Sequence, residues 1–270
     1  MAELLLGKPV AEQIFEEIAQ WNYKMRLAAI GLDNPAWKQY VAALQKSGEK
    51  CNVAVESINL QGKSPKDFCA TVRATSARQD ISGVILQQPL PIDYVEAAYE
   101  IPPEKDVDCI SDAAVAALYR GEEIFAPATP KAVLKLLKYY GVDLLGKHVV
   151  IVGRGAAVGK PLALMCLREH ATITVCHTKT QNLANLCKTA DILISACGAP
   201  GLITRDFVTE NSIVVDVGLS FVDGKTCGDV AEEVKNVAKA VSPVPGGVGP
   251  VTRAALFSNL VSAVQIKGKR

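Results

Sequence analysis

Residues 148–161, HVVIVGRGAAVGKP, restrict the fold of this chain more than any other segment. His148 to Val152 form an apolar run of strand length. It leads without a spacer into Gly153-Arg154-Gly155-Ala156-Ala157-Val158-Gly159, a G-x-G-x-x-x-G turn, and then into a helix-forming stretch. A turn so poor in Cβ atoms lets a phosphate-bearing ligand approach backbone amides and the positive end of a helix. The strand before it makes the signal stronger than a bare glycine pattern. The alternative reading is a tight strand-to-helix turn that binds nothing.

The next strand narrows the ligand. Dinucleotide folds that take NAD usually end their second strand in Asp or Glu, which bonds the ribose hydroxyls. Here TITVCHTKT (172–180) ends in Cys176-His177-Thr178-Lys179, with no acid, and Arg154 sits in the turn. Two cations and a hydroxyl suit a 2′-phosphate, so NADP is favoured and NAD stays possible. The alternative is that Arg154 and Lys179 are ordinary solvated charges.

The rest of the chain reads as two α/β units. Residues 8–26 carry Val10, Ile14, Ile18 and Trp21 at helical spacing. LAAIGL (27–32), NVAVESINL (52–60) and ISGVILQQPLP (81–91) read as strands. Between them lie a helix over 34–50 and a second one opened by Ser64 and Pro65. That order implies a parallel sheet covered on both faces. A helix from Thr129, the glycine-turn unit, two strands (ADILISACGA and SIVVDVGLS) and a last helix after PVPGGVGP complete a second unit. The expected boundaries are 1–118 for a first domain, with helix 251–270 packing back on it, and 119–250 for the second, with a cleft between.

Bulk properties exclude several classes. With 49% hydrophobic residues and a net charge of +1, the chain can build a core and has no electrostatic case for nucleic acid or an anionic membrane. Eight cysteines form no CxxC pair and only three histidines exist, so no metal site is expected. Scattered cysteines read as reduced thiols, which points to the cytoplasm. MAELLLGKPVAEQIFEEIAQ has acidic residues directly after a short apolar run, unlike a signal peptide.

Over essentially its whole length the sequence resembles the bifunctional methylenetetrahydrofolate dehydrogenase/methenyltetrahydrofolate cyclohydrolase (FolD) family. The residues that carry the resemblance are DNPAWKQYVA (33–42), GVILQQPLP (83–91), PEKDVD (103–108), PATP (127–130), VVIVGRGAAVGKP (149–161), CHTKT (176–180), DVGL (216–219), GDV (228–230) and PVPGGVGP (243–250). The resemblance implies an N-terminal α/β folate-binding domain and a C-terminal Rossmann NAD(P)-binding domain, usually dimeric across the latter. It implies that Tyr40 stacks on the folate, Gln87 faces the reacting methylene bridge and Asp108 binds the pterin edge, with Pro245, Gly246 and Gly247 completing the substrate site. It places Gly153, Arg154, Gly155, Val158, Gly159, Thr178, Lys179 and Leu219 at the dinucleotide. A tyrosine platform and a carboxylate facing an aminopyrimidine are chemically apt. Taken singly, each reads more readily as structural (a half-buried tyrosine, a strand-end glutamine, a turn aspartate); taken together, in order, they do not.

The chain departs from the family pattern at telling places. The family has a lysine four residues after the tyrosine, about one helical turn on, but here that position is Leu44. Lys46 falls on another face. Trp37 stands where serine is common, DVDG is DVDC with Cys109 (expected to be a structural thiol), and GRS is Gly153-Arg154-Gly155. Oxidising the methylene bridge is a hydride transfer that moves no proton. Hydrolysing the methenyl cation needs a general acid/base, which leucine is not. The expectation is therefore an NADP-dependent dehydrogenase whose cyclohydrolase activity is weak or absent. Two other readings are a non-catalytic paralogue that binds a folate or nucleotide, and a Rossmann dehydrogenase for a different heterocycle.

Overall fold

A computed structural model describes residues 1–21, 23–122, 124–222 and 225–268. In chain order the elements are β1 (Glu3–Leu4), α1 (Gly7–Ala19), β2 (Met25–Gly31), α2 (Pro35–Gly48), β3 (Val53–Asn59), α3 (Pro65–Ala77), β4 (Gly83–Leu86), α4 (Asp112–Arg120) and α5 (Ala128–Tyr139). Then follow β5 (His148–Val152), α6 (Gly159–Arg168), β6 (Thr172–Cys176), α7 (Leu183–Lys188), β7 (Ile192–Ser195), β8 (Ile213–Asp216), β9 (Ser220–Val222), β10 (Lys225–Cys227), β11 (Ala240–Val241) and α8 (Val248–Gly268). Short 3₁₀ turns fill several connections, the longest at Ile92–Glu100.

The chain divides into two compact units, Met1–Glu12 with Thr129–Thr252, and Gln13–Ala128 with Arg253–Arg270. This differs from the expected boundaries at three places: residues 251–252 group with the glycine-turn unit, and the two larger differences each have a hydrogen-bonding cause. The first residues join the glycine-turn unit because β1 pairs with β11 and the Leu5 amide donates to Val241 O. Residues 119–128 stay with the other unit because Cys109 Sγ donates to Phe125 O at 3.1 Å and Asn259 Nδ2 donates to Ala126 O at 2.8 Å. Residues 269–270 of the expected last helix lie outside the described residues.

The unit that spans Gln13–Ala128 and Arg253–Arg270 is built on a parallel three-stranded sheet, β3-β2-β4. Leu27, Ala28, Ala29 and Ile30 of β2 are fully buried, as a central strand covered on both faces requires. Asn34 caps α2 by accepting from the amides of Ala36 and Trp37, with Pro35 in the first turn, and Ser64 caps α3 through the Asp67 amide. Phe257 of α8 packs on Phe15 with ring centroids 6.0 Å apart, and Asn259 Nδ2 also donates to Val107 O. The first helix ends at Ala19, short of the expected residue 26. Trp21 leaves the apolar face, is 43% exposed and stacks on Tyr23.

The second unit carries a parallel six-stranded sheet ordered β1-β11-β8-β7-β5-β6. Val150, Leu193 and Val214 from neighbouring strands lie at its centre, fully buried. The strand order reverses direction beside β5, the place where sheets of this type bind ligands at their carboxyl ends. Among the described residues no helix is long and apolar enough to cross a membrane.

Candidate active site

In the three-stranded unit the candidate residues gather at the carboxyl ends of β2 and β4. Gln87 directly follows β4; its amide donates to Ile30 O at 2.9 Å and its Oε1 accepts from the Leu32 amide at 2.8 Å. That bond fixes the carboxamide of a residue that is 8% exposed, and leaves Nε2 as a donor without a partner among the described residues. Gly31, the last residue of β2, makes this possible. A Cβ there would lie 2.8 Å from Gln87 Oε1 and inside van der Waals contact distance of the Trp37 indole nitrogen. Trp37 and Gln87 therefore close together over the end of β2.

Tyr40 lies one turn beyond Trp37 on α2, half-buried, with the two ring centroids 5.7 Å apart and tilted by 32°. Leu44, a further turn on, is wholly buried. Lys46 is exposed. The Tyr40 phenol is held well above its ordinary pKa, first by burial and then by the Asp108 charge, with Arg253 opposing. Asp108 itself is pushed up to about 7, mainly because its carboxyl is buried and secondarily by Asp106. Asp106 is fully buried and accepts from the Ile110 and Ser111 amides, so it builds the turn that presents Asp108. Cys109 is buried with φ 57°.

In the six-stranded unit the glycines of the strand–helix turn do different work. Gly153 has φ +129°, and a Cβ on it would fall 2.3 Å from Ala196 O. A Cβ on Gly159 would fall 2.1 Å from Gly153 O, so these two let the turn lie against the end of β7 and the start of α6. Gly155 has open space around it. Among the described residues the amides of Arg154 to Val158 donate to nothing, and no side chain caps α6. A row of unclaimed amides at a helix start fits a pyrophosphate.

Thr178 and Lys179 are exposed just past β6, in a turn tied by the His177 amide to Thr180 Oγ1 and by the Lys179 amide to His177 Nδ1. Arg154 is exposed, as is Leu219 at 65%. Pro245, Gly246 and Gly247 follow β11; the Val244–Pro245 bond is cis, Gly246 has φ +111°, and the Gly7 amide donates to Gly246 O at 2.8 Å. The Gln88–Pro89 bond is also cis. Among the described residues no three His, Cys, Asp or Glu side chains gather to hold a metal ion.

Two features escaped the sequence reading. The DVGL and GDV segments carry a buried pair, Asp216 and Asp229, which organise loop backbone. Nothing local marks the pair beyond a glycine close to each aspartate, Gly218 two residues after Asp216 and Gly228 next to Asp229. The second is Arg253, early in α8, which only its electrostatic reach to Tyr40 brings into the site.

Comparison with known proteins gives a single answer. Residues 5–108 match the family described as tetrahydrofolate dehydrogenase/cyclohydrolase, catalytic domain, and residues 127–268 match its NAD(P)-binding domain. The chain is 37% identical over 282 residues to bifunctional protein FolD 2 of Desulfitobacterium hafniense, covering 100% of this chain and 99% of that one. Its structure is similar to that of the FolD methylenetetrahydrofolate dehydrogenase/cyclohydrolase from Campylobacter jejuni, with TM-score 0.94, 37% identity, and 99% and 100% of the two chains covered. It is also similar to the Trypanosoma brucei methylenetetrahydrofolate dehydrogenase-cyclohydrolase solved with NADP cofactor and inhibitor, with TM-score 0.93, 31% identity, and 100% and 99% covered.

Proposed function

Because the chain belongs to the tetrahydrofolate dehydrogenase/cyclohydrolase family, we propose that it oxidises 5,10-methylenetetrahydrofolate to the methenyl form using NADP, with little or no cyclohydrolase activity. The observation that carries the second half is Leu44. One turn beyond Tyr40 the helix presents a wholly buried hydrocarbon where the family's lysine would stand. Hydride transfer places no demand on that position, since the folate nitrogens stabilise the methenyl cation. Hydrolysis of the cation needs a group to take and return protons, and leucine has none.

The remaining residues divide the work. Tyr40 and Trp37 offer ring faces to the folate, Asp108 accepts from the donor-rich pterin edge, and Gln87 aims its amide at the bridge. Pro245, Gly246 and Gly247 border the substrate. The unclaimed amides from Arg154 to Val158 take the pyrophosphate, with Gly153, Gly155 and Gly159 clearing its approach and Leu219 contributing an apolar contact. Arg154, Thr178 and Lys179 read the 2′-phosphate, which favours NADP over NAD. The bound dinucleotide supplies the hydride acceptor. The protein is proposed to act in the cytoplasm as a homodimer; β6 ends its sheet with Val175 exposed, an edge of the kind proteins cover.

The test follows absorbance with methylenetetrahydrofolate and NADP, then NAD, and separately the hydrolysis of methenyltetrahydrofolate. Reduction of NADP without accelerated hydrolysis is the expected result. Hydrolysis at a rate comparable with dehydrogenation would overturn the cyclohydrolase half. Absence of reduction with either dinucleotide would replace the whole reading with a binding protein.

A further inference from the structure

Around Tyr40 the charged side chains have opposite signs. Asp108 and Arg253 both reach the phenol electrostatically, one raising and the other lowering its pKa. Beside Tyr40 on α2 stands a second aromatic ring, Trp37, 5.7 Å away. Arg253 is carried on a firmly held element: α8 is pinned in this unit by Phe257 against Phe15 and by the two bonds from Asn259. The Arg253 Nε is buried and has no hydrogen-bond partner among the described residues. A buried donor without an acceptor is costly, and a guanidinium more so, which marks this as a place where an acceptor belongs.

An acid, an aromatic pair and a cation with a buried, unpartnered donor match the chemical groups of a folate. Its pterin end is rich in donors, its middle is a benzoyl ring, and its far end carries carboxylates. We propose that Arg253 binds the carboxylate-bearing tail of the folate and is a specificity-determining residue for it. The inference rests on the folate reading above and adds which end of the substrate each charge takes. It also accounts for a cation in a site whose usual lysine is leucine: a guanidinium offers a fixed fork of N–H donors that suits a carboxylate.

The test compares methylenetetrahydrofolate with the same compound whose glutamate carboxylates are converted to amides. Wild-type protein should prefer the free acid by about tenfold or more, through KM, as expected for a charge-assisted bond. Arg253→Met should raise KM for the free acid by about that factor, leave kcat within about threefold and the dinucleotide KM within about twofold, and erase the preference. Arg253→Lys should keep most of it. Should Arg253→Met fail to fold, Arg253→Gln, which keeps a donor and loses the charge, is read the same way. Equal handling of the two substrates by wild type, or an unchanged preference in the variants, overturns the inference. If wild-type protein turns over neither, quenching of its tryptophan fluorescence by tetrahydrofolate and by its tail amide decides the matter. Tail-selective binding without turnover sinks the dehydrogenase reading alone, and tail-blind binding sinks this one.

Discussion

Asp229 gathers the backbone that follows β7: its carboxylate accepts from the amides of Cys197 at 2.9 Å and Ala199 at 2.7 Å, and from Ser195 Oγ at 2.9 Å. The arrangement is reciprocal with Asp216, which accepts from the amides of Asp229 and Val230. A Cβ on Gly218 would lie 2.2 Å from Asp229 Oδ1, and one on Gly228 would lie 2.0 Å from Asp216 Oδ2. Each carboxylate therefore occupies space vacated by a glycine beside the other. The loop so fixed includes Ala196, whose carbonyl the Gly153 backbone meets, so the pair also supports the dinucleotide turn.

Asp229→Ala should lower stability by about 3 kcal/mol or more, because it leaves several buried donors unpaired at once. In a chain of this size that corresponds to a fall of roughly 6–12 °C in Tm. Differential scanning fluorimetry reads it, and a Tm within about 2 °C of wild type would contradict the role assigned to Asp229.

Gly153→Ala and Gly155→Ala should part company. The first forces a Cβ into Ala196 O at a φ that non-glycine residues avoid, costing about 1–3 kcal/mol in backbone strain alone and weakening dinucleotide binding. The second meets open space and should stay within about 0.5 kcal/mol of wild type. Denaturant unfolding with and without NADP separates them.

Leu44→Lys should raise the rate of methenyltetrahydrofolate hydrolysis by about 10²-fold, the usual contribution of a general acid/base, with dehydrogenation little changed. It should also lower stability, since Leu44 is wholly buried. Leu44→Met is the control and should gain no hydrolysis. Hydrolysis that stays flat in the lysine variant would show that more than this side chain is missing.

Asp108 should impose a pH dependence. Its carboxyl titrates at about 7, and only the ionised form accepts two hydrogen bonds from a pterin edge. Dehydrogenase kcat/KM should therefore rise with pH through about 7 and flatten above it, with Asp108→Asn lower and level. The linked stability runs the other way: a carboxyl raised from 3.8 in the folded state favours folding most at low pH, and that contribution is lost as pH climbs through about 7. Chemical denaturation at pH 5 and pH 8 should show the loss in wild type and a smaller one in Asp108→Asn.

Replacing both Arg154 and Lys179 with alanine should reduce kcat/KM for NADP by about tenfold or more, the value of one or two charge-assisted bonds, and leave that for NAD nearly unchanged. A parallel fall with both dinucleotides would assign these cations to the pyrophosphate instead.

Much of the architecture was written locally in the chain. The apolar run before Gly153 had to be a buried strand, and Ser64 with Pro65 had to open a helix, because periodicity and capping act between near neighbours. The absence of lysine at position 44 was likewise plain from counting four residues on from Tyr40. What counting could not supply was where distant residues meet. β1 and β11 are two residues each, too short for any period, and join only through pairing across the chain. The first helix lost Trp21 to a surface stack with Tyr23 that a helical wheel does not contain. Asp216 with Asp229, and Arg253 with Tyr40, are separated by loops and elements whose packing alone brings their charges within reach. Burial then decides what those charges do, since the same carboxyl that is fully ionised at neutral pH in water becomes, in Asp108, a group poised near it.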